Sequence, residues 1–245
     1  MNMTVQNSYF RIQEISEQRI ILQEGLVDMR NRFDTQLELL NKELIEMGAL
    51  CEELIRLTRK ALVDGTDYLE NARGKELEVD RMESDIEGLC MKLLLKQQPV
   101  AKDLRVVSSA LKMISDMERI GDQSLDIIEI VEYVRNCDDE SKKRIEEMAR
   151  AAGKMVSDSV DAFVRKDQVL AKAVIDADDF VDGLFIEFKK RLIHIVSTEK
   201  SDGEMYIDML MIAKYYERIA DHATNIAEWV LYSITGKKVS NGKDS

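Results

Sequence analysis

One proline, 11 glycines, 3 cysteines, 2 histidines and a single tryptophan stand among 245 residues. With so few proline and glycine residues there is little to break regular structure. Cys51, Cys90 and Cys137 are far apart and form no Cys-x-x-Cys pair, which excludes a thiolate zinc site and a disulfide framework. They read as small packing residues in a reducing cytosol. No stretch approaches the ~20 apolar residues needed to cross a bilayer. No basic segment followed by an apolar one opens the chain, so no signal peptide is expected. A soluble, cytoplasmic protein is the expectation. A net charge of −12 argues against a nucleic-acid partner and permits cation binding. There is no glycine-rich phosphate loop, no nucleophile with a plausible base, and no Glu-x-x-His signature of di-iron bundles. The residues point to a protein that is not an enzyme. The alternative is a metal-dependent enzyme on a helical bundle, a phosphohydrolase or a redox iron protein, which needs open coordination positions.

What remains is helix-forming composition, rich in Ala, Leu, Glu, Lys, Arg and Met. From Phe33, Leu37, Leu40, Leu44, Met47, Leu50, Leu54 and Leu57 recur at helical spacing until Asp64-Gly65-Thr66 interrupts them. A second helix is predicted from about Tyr68 to Lys96, past Leu77, Met82, Ile86, Leu89 and Leu93. Gln97-Gln98-Pro99 sets a boundary, and a third helix carries Leu104, Val107, Leu111, Ile114 and Ile120 to about Arg135. The polar run Asn136 to Ser141 suits a loop and helix cap. Three more helices are predicted over Ser141 to Lys166, Val169 to Val196 and Gly203 to Ile234, with a turn from Ser197 to Gly203. The fold class is therefore all-α: two tandem, pseudo-repeated three-helix bundles, six long helices, elongated. The divisions are an extension at 1–28, a first bundle at 29–136, a second at 137–236, and a polar tail at 237–245. Ile12 to Leu26 suits a short amphipathic helix. A start of translation at Met29 is the alternative for the extension, because Gln23-Glu24-Gly25 can be encoded by a purine-rich stretch.

A helix is written twice. Ser115-Asp116-Met117-Glu118-Arg119-Ile120-Gly121-Asp122 is echoed by Lys214-Tyr215-Tyr216-Glu217-Arg218-Ile219-Ala220-Asp221. The echo continues with Asp126 against Asn225 and Glu129 against Glu228, and earlier with Val79-Asp80 against Val181-Asp182. Repetition at this period means two similar units. Within it stand four acidic pairs spaced by four: Glu76/Asp80, Glu118/Asp122, Asp178/Asp182 and Glu217/Asp221. Like charges so spaced share a helix face and repel. A single such pair is usually a solvated face; matching register in both repeats lifts the pattern above chance. If the second and third helices of each unit are neighbours, four carboxylates converge per unit, and Asp126 and Asn225 extend the groups. Oxygen-only donors suit magnesium, calcium, manganese or ferric iron, and carboxylates also take zinc. His194 reads as a packed residue, and His222, matched by Gln123, as secondary to any shared chemistry. Arg119 and Arg218 suit pairing with acids; Trp229 and Tyr215-Tyr216 suit helix packing.

Lys96-Gln97-Gln98-Pro99-Val100-Ala101-Lys102-Asp103-Leu104-Arg105 and Ser115 to Asp122, with Arg30 to Phe33 and Met47-Gly48, resemble motifs of the PhoU family over about Met29 to Ile234. The resemblance implies a cytoplasmic regulator of phosphate homeostasis. Such a protein represses the phosphate-starvation response by linking the ATPase subunit of a phosphate-specific ABC transporter to a sensor histidine kinase, and a homodimer is expected. It also implies multinuclear iron or zinc clusters. Glu76, Asp80, Glu118, Asp122 and Asp126 would serve one, and Asp178, Asp182, Glu217 and Asp221 the other. The second half departs from the pattern: it lacks the Gln-Gln-Pro turn, has Lys214-Tyr215-Tyr216 before its glutamate, and reads Ala220 where the first half has Gly121.

Overall fold

The computed structural model describes the backbone of residues 3–96, 100–198 and 203–238, with side chains from Arg30 onward except at Lys96. Six helices follow one another: α1 (Met3–Asp64), α2 (Leu69–Lys96), α3 (Ala101–Ile130), α4 (Asp139–Arg165), α5 (Gln168–Thr198) and α6 (Gly203–Thr235). A single 3-10 turn, Val131–Val134, extends α3. Among the described residues there is no strand.

Apolar spacing and local caps explain these bounds. On α1 the positions Leu40, Leu44, Met47, Cys51 and Leu54 alternate by four and three, and all are fully buried. The helix stops where Gly65 takes a positive φ of 67°, a conformation that only glycine adopts cheaply. Asp64 holds the turn by accepting from Thr66 N at 2.9 Å and from the Tyr68 hydroxyl at 2.8 Å. Asp67 then accepts from Leu69 N at 2.9 Å and caps α2. The second unit repeats the device: Lys166 ends α4 in the left-handed region, and Asp167 accepts from Val169 N and Leu170 N to cap α5. Asp138 caps α4 through Ser141 N and Oγ, and Arg191 of α5 pins it at 2.8 Å.

Some expectations are corrected. The first helix does not begin at Phe33 after a separate short helix; α1 is continuous from Met3. Gly25 does not break it, since one glycine in a helix interior costs only ~1 kcal/mol against alanine. Leu77 and Leu104, placed on the buried face, are exposed at 65% and 48%. Val79 and Val107 fill the core positions beside them, because core-facing residues drift around a 3.6-residue helix and a strict apolar count misjudges its edges. His194 is exposed rather than packed. The predicted Gln97–Pro99 boundary, the turn at 199–202, the side chains of 3–29 and the tail at 239–245 lie outside the described residues.

Among the described residues α2 contacts only α1 and α3, while α5 contacts only α4 and α6. The units meet through α3 against α6 and α1 against α4. Those four helices share one core, and α2 and α5 flank it. The α1–α4 crossing is close because glycines face branched side chains reciprocally. A Cβ on Gly48 would come within 2.9 Å of Val160 Cγ2, and one on Gly153 within 3.3 Å of Ile55 Cγ2. The backbones of α1 and α6 do not touch, yet Tyr216 spans the centre. Its hydroxyl lies 2.5 Å from Thr58 Oγ1, with both residues fully buried. Thr58 Oγ1 donates to Ile55 O, so the tyrosine hydroxyl donates to the threonine.

Candidate metal centre

Burying Val79, Met82 and Ile86 against α1 and α3 sets the row beside Val79 at the edge of the α2–α3 contact. Glu76 and Asp80 lie on that row, and Glu118 and Asp122 face it from α3. Glu76, Asp80 and Asp122 each offer a carboxylate oxygen within 4.8 Å of the others. They are the one acidic, cysteine or histidine group among the described residues drawn so close. Gly121 makes the approach possible: a Cβ there would stand 3.3 Å from Val79 Cγ1.

Electrostatics mark the group as short of positive charge. Partial burial raises the Glu76 pKa, and the charges of Asp80 and Asp122 raise it further. Glu118 is raised by burial first and then by Asp122, with Arg119 opposing and Glu83 and Asp80 adding to the rise. Arg119 braces the group from its rim, 3.2 Å from Glu118 and 2.9 Å from Asp122. Glu118 thus faces the triple without joining its closest contacts. Asp126 is raised by burial and by Asp122, and the Tyr215 hydroxyl and Arg218, from across the unit boundary, oppose the rise. It belongs as much to that boundary as to the cluster.

In the second unit Asp178, Asp182, Glu217 and Asp221 gather between α5 and α6. Burial pushes Asp221 up to about 6, assisted by Glu217, Asp178 and Asp182 and opposed by Lys214. Asp178 Oδ1 accepts from Thr224 Oγ1 at 3.3 Å, and the Lys214 ammonium donates to the Glu217 carboxylate. The structure therefore brings together all four acids predicted in each unit, most tightly at Glu76, Asp80 and Asp122. The donor set fits a hard divalent or trivalent cation, ferric iron included, and also zinc. The three cysteines are buried and contribute nothing to it.

Glu83 escaped the sequence reading. It shares the face of Glu76 and Asp80, seven and three residues on, and accepts from Ser115 Oγ at 3.1 Å. Spacing alone could have found it, but its counterpart in the second repeat is not acidic. Asp116 escaped as well. Its Oδ1 lies 2.8 Å from His222 Nδ1 and accepts from Asn225 Nδ2 at 3.2 Å, tying α3 to α6.

These features define a class: an all-α protein built from a duplicated three-helix unit, each copy carrying an acidic cluster between its second and third helices. The family model "PhoU domain" matches residues 44–131 and again 145–230, and the chain belongs to the PhoU family. It is 34% identical over 213 residues to a "phosphate-specific transport system accessory protein PhoU homolog" of Clostridium acetobutylicum, covering 86% of this chain and 97% of that protein. A protein of the same description from Synechocystis is also 34% identical, over 85% of this chain and 94% of its own length. The crystal structure of PhoU from Pseudomonas aeruginosa superposes with a TM-score of 0.80 at 28% identity, covering 84% of this chain and 100% of that one. The phosphate transport system regulatory protein PhoU from Streptococcus pneumoniae gives 0.79 at 26% identity, over 85% and 100%.

Proposed function

We propose that this chain is a non-enzymatic accessory protein of a phosphate-specific transport system. In this reading it represses the phosphate-starvation response when phosphate is ample and modulates phosphate uptake. Membership of the PhoU family through both repeats carries the reading, supported by relatives whose names describe accessory and regulatory proteins of phosphate transport. In finer detail, the protein works in the cytoplasm as a homodimer and couples the transporter's ATPase subunit to a phosphate-sensing histidine kinase. No helix among the described residues is long and apolar enough to cross a membrane, and contact with the transporter in this reading is made through protein surfaces.

The acidic clusters serve the same reading as structural centres for multinuclear iron or zinc. Glu76, Asp80, Glu118 and Asp122, with Asp126 beside them, would hold one, and Asp178, Asp182, Glu217 and Asp221 the other. A bound cation supplies the positive charge these carboxylates lack. The chain's own residues set the spacing of α2 on α3 and of α5 on α6, and so the shape offered to partners.

Two measurements test the reading. Elemental analysis of untagged protein should find several iron or zinc atoms per chain, reduced in the Asp80→Asn/Asp122→Asn double variant; a metal-free, stably folded wild type would remove the metal role. In a deletion strain with transporter activity held fixed, phosphatase expression in rich phosphate should be high and should fall on complementation. Unchanged expression would overturn the regulatory role, and phosphatase turnover requiring Asp80 and Asp122 would favour an enzyme instead.

A further inference from the structure

The two acidic clusters are not built alike, and two positions make the difference. The repeat register sets Glu118 against Glu217 and Asp122 against Asp221, which aligns Ser115 with Lys214. On the preceding helix Asp80 aligns with Asp182, which sets Glu83 against Phe185. In the first unit these two side chains meet as a hydroxyl and a carboxylate, Ser115 Oγ donating to Glu83 at 3.1 Å. In the second unit they also meet, but the Lys214 ammonium stands 5.3 Å from the Phe185 ring centroid and donates to both oxygens of Glu217. One carboxylate has become a ring, and one hydroxyl has become a cation.

The exchange is concerted. A lysine opposite a glutamate would pair with it and be drawn toward α2; a lysine over an aromatic face gains a cation–π contact and stays free to bond the acids of its own helix. Lys214 and Glu217 are three residues apart on α6, so the ion pair needs no unusual backbone. The arginines do not distinguish the units by type, since Arg119 is matched by Arg218. They differ in what they pair with: Arg119, 58% exposed, braces Glu118 and Asp122 from the rim, while the charge of Arg218 acts on Asp126 across the unit boundary. The first cluster thus comprises five carboxylates, Glu76, Asp80, Glu83, Glu118 and Asp122, with Arg119 at its exposed rim, and the second comprises four, with the Lys214 ammonium bonded to Glu217.

We infer that Lys214, steadied by Phe185, is a tethered cation of the second cluster that occupies part of the space and charge an external cation would take. The two units are therefore unequal: the first binds multivalent cations tightly, and the second binds them weakly, only as the lysine swings aside. The inference rests on the reading of both clusters as cation sites. Lysine suits the part, being a compact point charge on a flexible stem. Displacing it forfeits an ion pair and a ring contact, so the result is a difference of affinity rather than a closed site.

Manganese binding to metal-free, full-length protein tests this, with free Mn2+ read from its paramagnetic resonance signal. The wild type should show a tight class abolished by Asp122→Asn and a weak class abolished by Asp221→Asn. Lys214→Ser with Phe185→Glu rebuilds the first unit's pair in the second, a change of two unit charges, and should tighten the weak class about tenfold or more, as expected for charges within a few ångströms at an effective dielectric near ~20. Ser115→Lys with Glu83→Phe should weaken the tight class to a similar degree. Lys214→Met keeps the packing stem and should still tighten the weak class, which guards against misfolding of the double variants; circular dichroism verifies each fold. A weak class indifferent to Lys214→Met, or a tight class abolished by Asp221→Asn, overturns the inference while leaving the clusters as cation sites. No Mn2+ bound by any form overturns both.

Discussion

Gln123 of α3 and His222 of α6 stand 99 residues apart, at equivalent places in the two repeats, and they meet with 3.1 Å between their Nε2 atoms. Contacts on either side are exchanged in the same way. Asp116 meets Asn225, while Tyr215, the counterpart of Asp116, meets Asp126, the counterpart of Asn225. A local two-fold axis therefore runs between α3 and α6, and the interface is isologous within a single chain.

His222 holds that interface from both ring nitrogens. Its Nδ1–H donates to Asp116, and its Nε2 accepts from the Gln123 amide. Asp116 is largely buried, with 15% of its side chain exposed. His222→Ala leaves that carboxylate with Asn225 as its remaining partner across the interface and should cost ~1–3 kcal/mol in urea unfolding. Asp116→Asn in the same background should cost less than it does alone, a coupling that a double-mutant cycle reads directly.

Gly48 sets the depth of the other crossing. Alanine there gains ~1 kcal/mol of helix propensity, but its Cβ meets Val160 at 2.9 Å, and overpacking costs ~1–3 kcal/mol. The net effect of Gly48→Ala should be a modest loss of stability. In a Val160→Ala background the same substitution should become stabilising, and the change of sign in chemical denaturation checks the contact.

Tyr216 joins helices whose backbones never touch. Tyr216→Phe should destabilise by ~1 kcal/mol, because Thr58 keeps its bond to Ile55 O and only the tyrosine's own bond is lost. Tyr216→Ala should cost ~3–5 kcal/mol by analogy with other buried aromatics. A far smaller loss in thermal unfolding would mean the centre repacks without it.

The acidic clusters give the metal-free protein a distinctive pH profile. Glu76, Glu118 and Asp221 have raised pKa values in the folded state, Asp221 to about 6. Between the unfolded and folded values the native state binds more protons, so stability falls as pH rises through that interval. Carboxylates with lowered values, such as Asp138 and Asp64, work in the opposite sense and withdraw their stabilisation only at more acidic pH. At low salt the melting temperature of metal-free protein should rise as pH falls from about 7.5 toward 5 and drop again below about 4. Asp80→Asn/Asp122→Asn should remove the share of the rise that comes from Glu76 and Glu118 and leave that of Asp221, which calorimetry at several pH values would record.

The helices and the acidic register were legible because both are local patterns. Glu118/Asp122 and Glu217/Asp221 are read from one stretch each, and duplication supplied the comparison that raised them above the many acids of a chain with net charge −12. Glu83 was hidden by the same comparison, since the second repeat has Phe185 in its place. Asp116–His222 and Thr58–Tyr216 join residues 106 and 158 positions apart, and no periodicity along one helix foretells which side chains meet across another. Leu77 misled because composition assigns apolar residues to the core, whereas only packing decides which edge of a helix face is covered.

The isologous contact between α3 and α6 has a consequence for how the chain closes on itself. A surface that recognises its own repeat carries no mark distinguishing the copy in the same molecule from that in a neighbour. The choice falls to the connection at Arg135–Asp138, whose brevity raises the local concentration of the attached partner far above that of any free one. A longer tether at Asn136 would lower that advantage. Concentrated protein would then settle into dimers that trade their second bundles, reproducing every native interface between chains instead of within one.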